Sequence, residues 1–259
     1  MQTEVNSITL NYRDQGQGTP LLLVHAFPLS GTMWQPQIDV LSEQFRVIAP
    51  DLRGFGKSAV PPGPYAMEIF ADDLAGLLDT LNIERVVLGG LSMGGYIAFA
   101  FWRKYATRVQ ALVLSDTRAN ADTEEGKAGR ETNAQIAEAQ GPGAIADQML
   151  PKLLATNASP ELQAQVRGII ERNSPQGIAG ALRGMALRPD STGLLPQISV
   201  PTLFLVGMED TLTTPDVMRE MQTAVPNSRL VEIPGAAHVA SLENPAAFNT
   251  ALSEFLRTL

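Results

Sequence analysis

Val86-Val87-Leu88-Gly89-Gly90-Leu91-Ser92-Met93-Gly94-Gly95 is the stretch on which the fold turns. An apolar strand pattern runs into a glycine-flanked serine and then into the apolar helix pattern of residues 96–105. A strand that bends directly into a helix holds the residue at the bend in a strained backbone conformation. Gly90 and Gly94 let the neighbouring backbones pass without a Cβ clash. Ser92 is thereby expected at the top of a sheet with its hydroxyl exposed. Met93, in the first helical turn, directs its N–H to where negative charge would develop in a reaction at that hydroxyl. The pattern names a nucleophile.

Working outward, residues 7–13 alternate as a strand and residues 14–20 read as a turn cluster, together a hairpin-like opening. Residues 21–24 form a short all-apolar run, as expected of a strand buried on both faces. Helical spacing over 33–42 precedes a strand at 45–49. A helix over 65–81 carries Ile69, Leu74, Leu77, Leu78 and Leu81 on one face. The strand at 86–88, the helix after Ser92 and a strand at 109–114 continue the alternation. Alternating strands and helices imply an α/β architecture with a mainly parallel sheet and right-handed crossovers.

The alternation stops at Asp116. Up to Gln197 only helical patterns follow, over 124–138, 144–154, 161–172 and 176–186, separated by Gly-Pro-Gly and Ser-Pro breaks. Strands resume at 202–206 and 229–233. The expected organisation is a core of residues 1–116 and 198–259, interrupted by an all-helical cap over 117–197.

Composition narrows the function. The chain has 259 residues, 44% hydrophobic and 18% charged, enough for one large domain with a full core. No apolar run approaches the roughly 18 to 20 residues that span a bilayer. The N-terminus carries no secretory pattern, and a cytoplasmic location is expected. The absence of cysteine excludes a disulfide framework and thiolate chemistry. A net charge of −8 disfavours nucleic acid and anionic membranes as partners.

A serine hydroxyl needs a base, and the chain has two histidines. His25 ends an early strand and His238 follows the last one, so both lie on the rim of a parallel sheet that Ser92 shares. The chain order serine, acid, histidine selects His238 as the base and leaves His25 a structural hydrogen-bonding role. The acid that orients the imidazole is assigned to Asp210, at the exit of the penultimate strand. Asp116, one strand earlier, is the rival, and Glu209 is expected in solvent or bonded to the loop.

These residues together resemble the α/β-hydrolase fold superfamily over essentially the whole chain. His25-Ala26-Phe27-Pro28 looks like the family's His-Gly-x-Pro loop, with Ala26 in place of the glycine. Asp51-Leu52-Arg53-Gly54-Phe55-Gly56-Lys57-Ser58 is similar to its Asp-x-Arg-Gly-x-Gly-x-Ser segment, read as a structured turn with Arg53 paired to a carboxylate. The resemblance implies an eight-stranded sheet flanked by helices, with the backbone N–H groups of Phe27 and Met93 as an oxyanion hole. The chain looks nearest to small carboxylesterases, cofactor-free haloperoxidases (perhydrolases) and 3-oxoadipate enol-lactonase-like hydrolases. The features that carry this are Phe27-Pro28-Leu29-Ser30, Asp116-Thr117-Arg118 and the helical cap.

The expected reaction is two-step acyl transfer through Ser92, His238 and Asp210, requiring no metal or organic cofactor. The substrate expected is a small, uncharged ester or lactone. Pro28 follows the oxyanion residue as a proline does in the perhydrolase members; that resemblance implies a secondary use of hydrogen peroxide as acyl acceptor, with rigidification of the loop as the equal alternative. Trp34, just beyond the Phe27 loop, is a candidate for the border of the substrate site, with core packing the favoured role for a lone tryptophan. Ile136, Ile145, Met149, Leu153 and Leu154 supply the cap with apolar surface. The same scaffold also hosts C–C bond hydrolases and noncatalytic receptors, which stand as the alternative functions.

Overall fold

The computed structural model describes all 259 residues. The chain runs through β1 (Gln2–Val5), β2 (Ile8–Gln15), β3 (Pro20–Val24), α1 (Gln35–Leu41), β4 (Arg46–Pro50), α2 (Met67–Thr80) and β5 (Val86–Leu91). Then follow α3 (Met93–Tyr105), β6 (Val109–Ser115), α4 (Glu124–Gln140), α5 (Pro142–Leu153), α6 (Pro160–Glu171) and α7 (Pro175–Ala186). The last elements are β7 (Thr202–Gly207), α8 (Pro215–Ala224), β8 (Ser228–Ile233), α9 (Ala240–Glu243) and α10 (Pro245–Leu256). The eight strands form one sheet in the order β1-β2-β4-β3-β5-β6-β7-β8. The first two ladders are antiparallel and the rest parallel.

The central strands are apolar throughout because both faces are covered. Leu22, Val24, Leu88, Leu112, Leu114, Phe204 and Val206 enter the core shared with α2, α3 and α8. The intervening Leu21, Leu23, Val87, Val113, Leu203 and Leu205 enter the opposite layer with α1 and α10. The period of two along each strand therefore separates two cores rather than core from water.

Two expectations are corrected. The opening hairpin closes at Asn6 (φ 47°) and Ser7 (φ 63°), with Val5 paired to Ile8. Both residues occupy the left-handed region that a two-residue hairpin turn demands. Asp14 and Gln15 still belong to β2, which pairs with β4 and not β3, so the 14–20 cluster leads into a crossing and not a hairpin. On α2 the buried stripe is Met67, Phe70, Ala71, Leu74, Leu77 and Leu78, while Ile69 and Leu81 are only half-buried. The stripe is rotated about one residue because Phe70, the bulkiest side chain, takes the central position.

Between β6 and β7 the regular elements are α4 to α7 and a 3₁₀ turn at Thr192–Gln197. Local chemistry starts three of these helices. Thr123, Ser159 and Ser174 each accept a first-turn N–H, from Gly126, Leu162 and Gln176 respectively. Pro160 and Pro175 occupy the first helical position, where a missing N–H has no consequence. α4 packs on α7, and α5 on α6. No helix is long and apolar enough to cross a membrane.

Candidate active site

Ser92 sits between β5 and α3 with φ 56° and ψ −111°. The bend brings backbones so close that a Cβ on Gly90 would lie 2.2 Å from Gly94 O, and one on Gly94 2.3 Å from Val24 O. Glycine is a steric requirement at both positions. The Ser92 N–H donates to Ser115 O at 2.9 Å, and Thr117 Oγ1 donates to Ser92 O at 2.8 Å, so the strained residue is held from both sides. Met93 opens α3, and a first-turn N–H has no acceptor inside its own helix.

His238, in the loop after β8, places Nε2 2.8 Å from Ser92 Oγ and Nδ1 2.8 Å from Asp210 Oδ2. A carboxylate only accepts, so Nδ1 carries the proton and Nε2 offers its lone pair to the serine hydroxyl. Asp210 also accepts from Leu212 N–H at 2.7 Å, Thr213 N–H at 3.0 Å and Thr213 Oγ1 at 2.6 Å. Burial opposes the charge on Asp210, but His238 and Thr213 outweigh it and hold the carboxyl below its usual range. Thr213 was not singled out from sequence, since a threonine three residues beyond an aspartate carries no distinguishing signal. Glu243 was missed for the same reason; it accepts the N–H groups of Ala237 and Ala155, joining the histidine loop to the end of α5.

The other titratable candidates lie elsewhere. Asp116 (φ 44°) is fully buried and accepts from Ser115 Oγ at 2.6 Å and Gly207 N–H at 2.8 Å. It braces β6 against β7 and makes no hydrogen bond to His238. Burial, reinforced by the nearby Asp210, pushes its carboxyl well above the usual range. His25 Nε2 accepts from Leu52 N–H at 3.1 Å, so Nδ1 carries the proton and donates to Ala26 O at 2.9 Å. Burial pushes His25 down to about 4 and keeps it neutral. Glu209 is exposed.

Ala26 does not fall in the left-handed region, so its Cβ introduces no strain where the family has glycine. Leu29 N–H donates to Ala26 O at 2.9 Å, closing a turn whose Phe27 N–H meets no backbone acceptor. Asn173, another residue that sequence reasoning missed, fixes this turn: its Nδ2 donates to Pro28 O at 2.7 Å and its Oδ1 accepts from Gly56 N–H at 2.8 Å. Within the 51–58 segment, Asp51 accepts from Gly31, Lys57 and Asn11, and Arg53 forms a two-pronged pair with Asp73 at 2.6 Å.

The candidate border role of Trp34 is corrected in favour of core packing. The residue is 1% exposed, lies in the apolar layer with its ring 6.1 Å from Phe248, and does not line the cavity at Ser92. The 3₁₀ turn that follows the Phe27 loop directs it beneath α10 and away from the rim.

That cavity holds about 190 Å³. Phe27, Met149, Met185 and Leu212 supply apolar walls; Ser92, His238, Thr213 and Tyr96 supply polar atoms. Arg118, Arg130 and Lys152 complete the lining, and no aspartate or glutamate contributes. Of the apolar residues expected from α4 and α5, only Met149 reaches the cavity, whereas Ile145, Leu153 and Leu154 are buried among helices.

A sequence profile of the alpha/beta hydrolase fold matches residues 19–245. The chain belongs to the α/β-hydrolase fold family. It is similar to a thermophilic esterase from Thermogutta terrifontis solved with malate bound, at 47% identity and TM-score 0.96, covering 99% of this chain and 96% of that one. An enol-lactonase from Burkholderia xenovorans superposes with TM-score 0.92 at 32% identity, covering 99% and 100%. In sequence, 3-oxoadipate enol-lactonase 2 of Acinetobacter baylyi is 28% identical over 96% of this chain and 94% of its own length.

Proposed function

We propose that the protein is a serine hydrolase that cleaves small carboxylic esters or lactones. The carrying observation is the unbroken line from Ser92 Oγ through His238 to Asp210, with both links at 2.8 Å. Esterase and enol-lactonase relatives that match nearly the full chain support the reaction class.

In this reading Ser92 Oγ attacks the ester carbonyl while its proton passes to His238 Nε2. Asp210 holds the imidazole in the required tautomer and stabilises the imidazolium that forms. The oxyanion receives the N–H groups of Met93 and Phe27, each worth roughly 10²–10³ in kcat when such donors are removed one at a time. The tetrahedral adduct collapses, His238 returns the proton to the leaving alkoxide, and an alcohol departs. Water, deprotonated by the same nitrogen, then releases the acid and restores the serine. Residues 117–197 act as the cap over the site, and the reaction is placed in the cytoplasm.

Steady-state hydrolysis of 4-nitrophenyl acetate, butyrate and octanoate tests this, with Ser92→Ala beside the wild type. Turnover that vanishes in the variant is the expected outcome; folded wild type without turnover defeats the reading. Adding hydrogen peroxide and following peroxy-acid formation tests the secondary activity attached to Pro28.

A further inference from the structure

The chain carries 27 acidic and 19 basic residues, yet the cavity at Ser92 is lined by three bases and no acid. A wall of that sign in a protein of the opposite net charge attracts anions locally. Its internal balance points the same way. Asp122 is shared by three guanidinium groups: Arg118 at 2.9 Å, Arg188 at 2.8 Å, and Arg130. One carboxylate thus faces three positive charges, and Lys152 takes no part in the cluster. Asp122 holds its charge under these conditions: burial opposes it, but Arg130 and Arg188 keep its carboxyl far below the usual range.

The three bases come from separate parts of the chain. Arg118 follows β6 by three residues, Arg130 projects from α4 and Lys152 from the end of α5. Three separate segments therefore bring positive charge to one cavity whose floor is Ser92. Arg130 is positioned further by Met185, whose sulfur accepts from Nη1 at 3.4 Å.

We infer that Arg118, Arg130 and Lys152 form a carboxylate subsite, so that the preferred substrate is an ester or lactone bearing a second, free carboxylate. The inference rests on the proposed hydrolase reading for the reaction and replaces the uncharged substrate expected from sequence. The reacting carbonyl lies at Ser92 and the spectator carboxylate against the basic wall, where a two-pronged guanidinium contact fixes its orientation. An anion held in this way is attracted over a Debye length, so salt weakens its capture.

The test compares monomethyl glutarate, an anion at neutral pH, with its neutral dimethyl ester. The monoester is expected to have a kcat/KM about tenfold or more above the diester at low ionic strength, a preference that shrinks as sodium chloride is added. Lys152→Glu should cut the preference by about tenfold, while Lys57→Glu, the same charge change away from the cavity, should not. Calorimetric titration of glutarate into Ser92→Ala protein reads the subsite without chemistry, and Lys152→Glu introduced into that background should weaken the binding.

Serine-dependent turnover of the diester at least equal to that of the monoester, with no glutarate binding, removes the subsite and leaves the hydrolase reading standing. Glutarate binding that Lys152→Glu weakens, with neither ester cleaved, keeps the subsite and removes the ester-hydrolase reading. Equal effects of Lys152→Glu and Lys57→Glu reduce the preference to the general field of the protein and overturn the proposal.

Discussion

Thr213 donates its hydroxyl hydrogen to Asp210 Oδ2 at 2.6 Å, on the same oxygen that faces His238 Nδ1. The carboxylate is thereby fixed in rotation, and the imidazole it orients inherits that rigidity. Asp210→Asn is expected to fold and to lose roughly 10³–10⁴ in kcat, because the amide stabilises the wrong tautomer. Thr213→Val, which leaves Ser92, His238 and Asp210, the proposed triad, in place, should lose about tenfold. Asp116→Asn should retain at least a tenth of the activity; a collapse equal to that of Asp210→Asn would transfer the acid role. Rates on 4-nitrophenyl butyrate decide among these.

His25 couples folding to pH. Its ordinary value of 6.5 applies to the unfolded chain, and burial pushes the folded value down to about 4. Between those limits the unfolded chain binds more protons, so stability falls as pH drops from about 6.5 to about 4 and this contribution levels off below. The full loss from this one group is on the order of 3 kcal/mol. Urea unfolding at pH 7 and pH 4.5 should give a smaller difference for His25→Gln than for wild type.

Two glycines respond oppositely to alanine. In Gly94→Ala the new methyl meets Val24 O at 2.3 Å, a backbone atom with no room to retreat. A loss of about 3 kcal/mol in urea unfolding is expected, together with lower turnover as the bend at Ser92 shifts. Gly129 is exposed on α4 and a Cβ there meets nothing within 4 Å. Gly129→Ala should gain about 0.5–1 kcal/mol from helix propensity alone.

Asn173→Ala removes the clamp between the Phe27 loop and the turn at Gly56. It strands Gly56 N–H and releases Pro28 O, at a cost of about 2–3 kcal/mol. Below the new unfolding temperature, kcat/KM for esters should still be lower by about tenfold, because the Phe27 N–H, the proposed oxyanion donor, would no longer meet the developing charge. Unchanged kinetics in the folded variant would separate Asn173 from the loop's function.

The fold was legible because its signals are local. Gly90 to Gly94 announce the bend, the apolar runs of β3, β5, β6 and β7 announce a sheet covered on both faces, and two histidines left a short choice. The hairpin at Asn6 and Ser7 escaped because positive φ at non-glycine residues leaves little trace in sequence. Trp34 takes the packing role favoured for a lone tryptophan, and its candidacy for the site border fails because nearness in the chain to Phe27 says nothing of which face a 3₁₀ turn presents. Thr213 and Glu243 escaped because a threonine three residues beyond Asp210, or a glutamate six beyond Ala237, carries no distinguishing signal; Asn173 and the basic wall were invisible because each acts with partners supplied by other segments. Arg118, Arg130 and Lys152 share a cavity only once α4 and α5 have packed over the end of β6.

Ser92 and His238 meet across 146 positions of chain, with α4 to α7 lying between β6 and β7 along the way. No local folding event can bring them together; the parallel registers on both sides of the helical interruption must close first. Catalytic competence is thus a product of the highest-order contacts the molecule makes. During renaturation, recovery of turnover should trail the return of helical signal, making enzyme activity a stricter gauge of completed assembly than any measure of secondary structure.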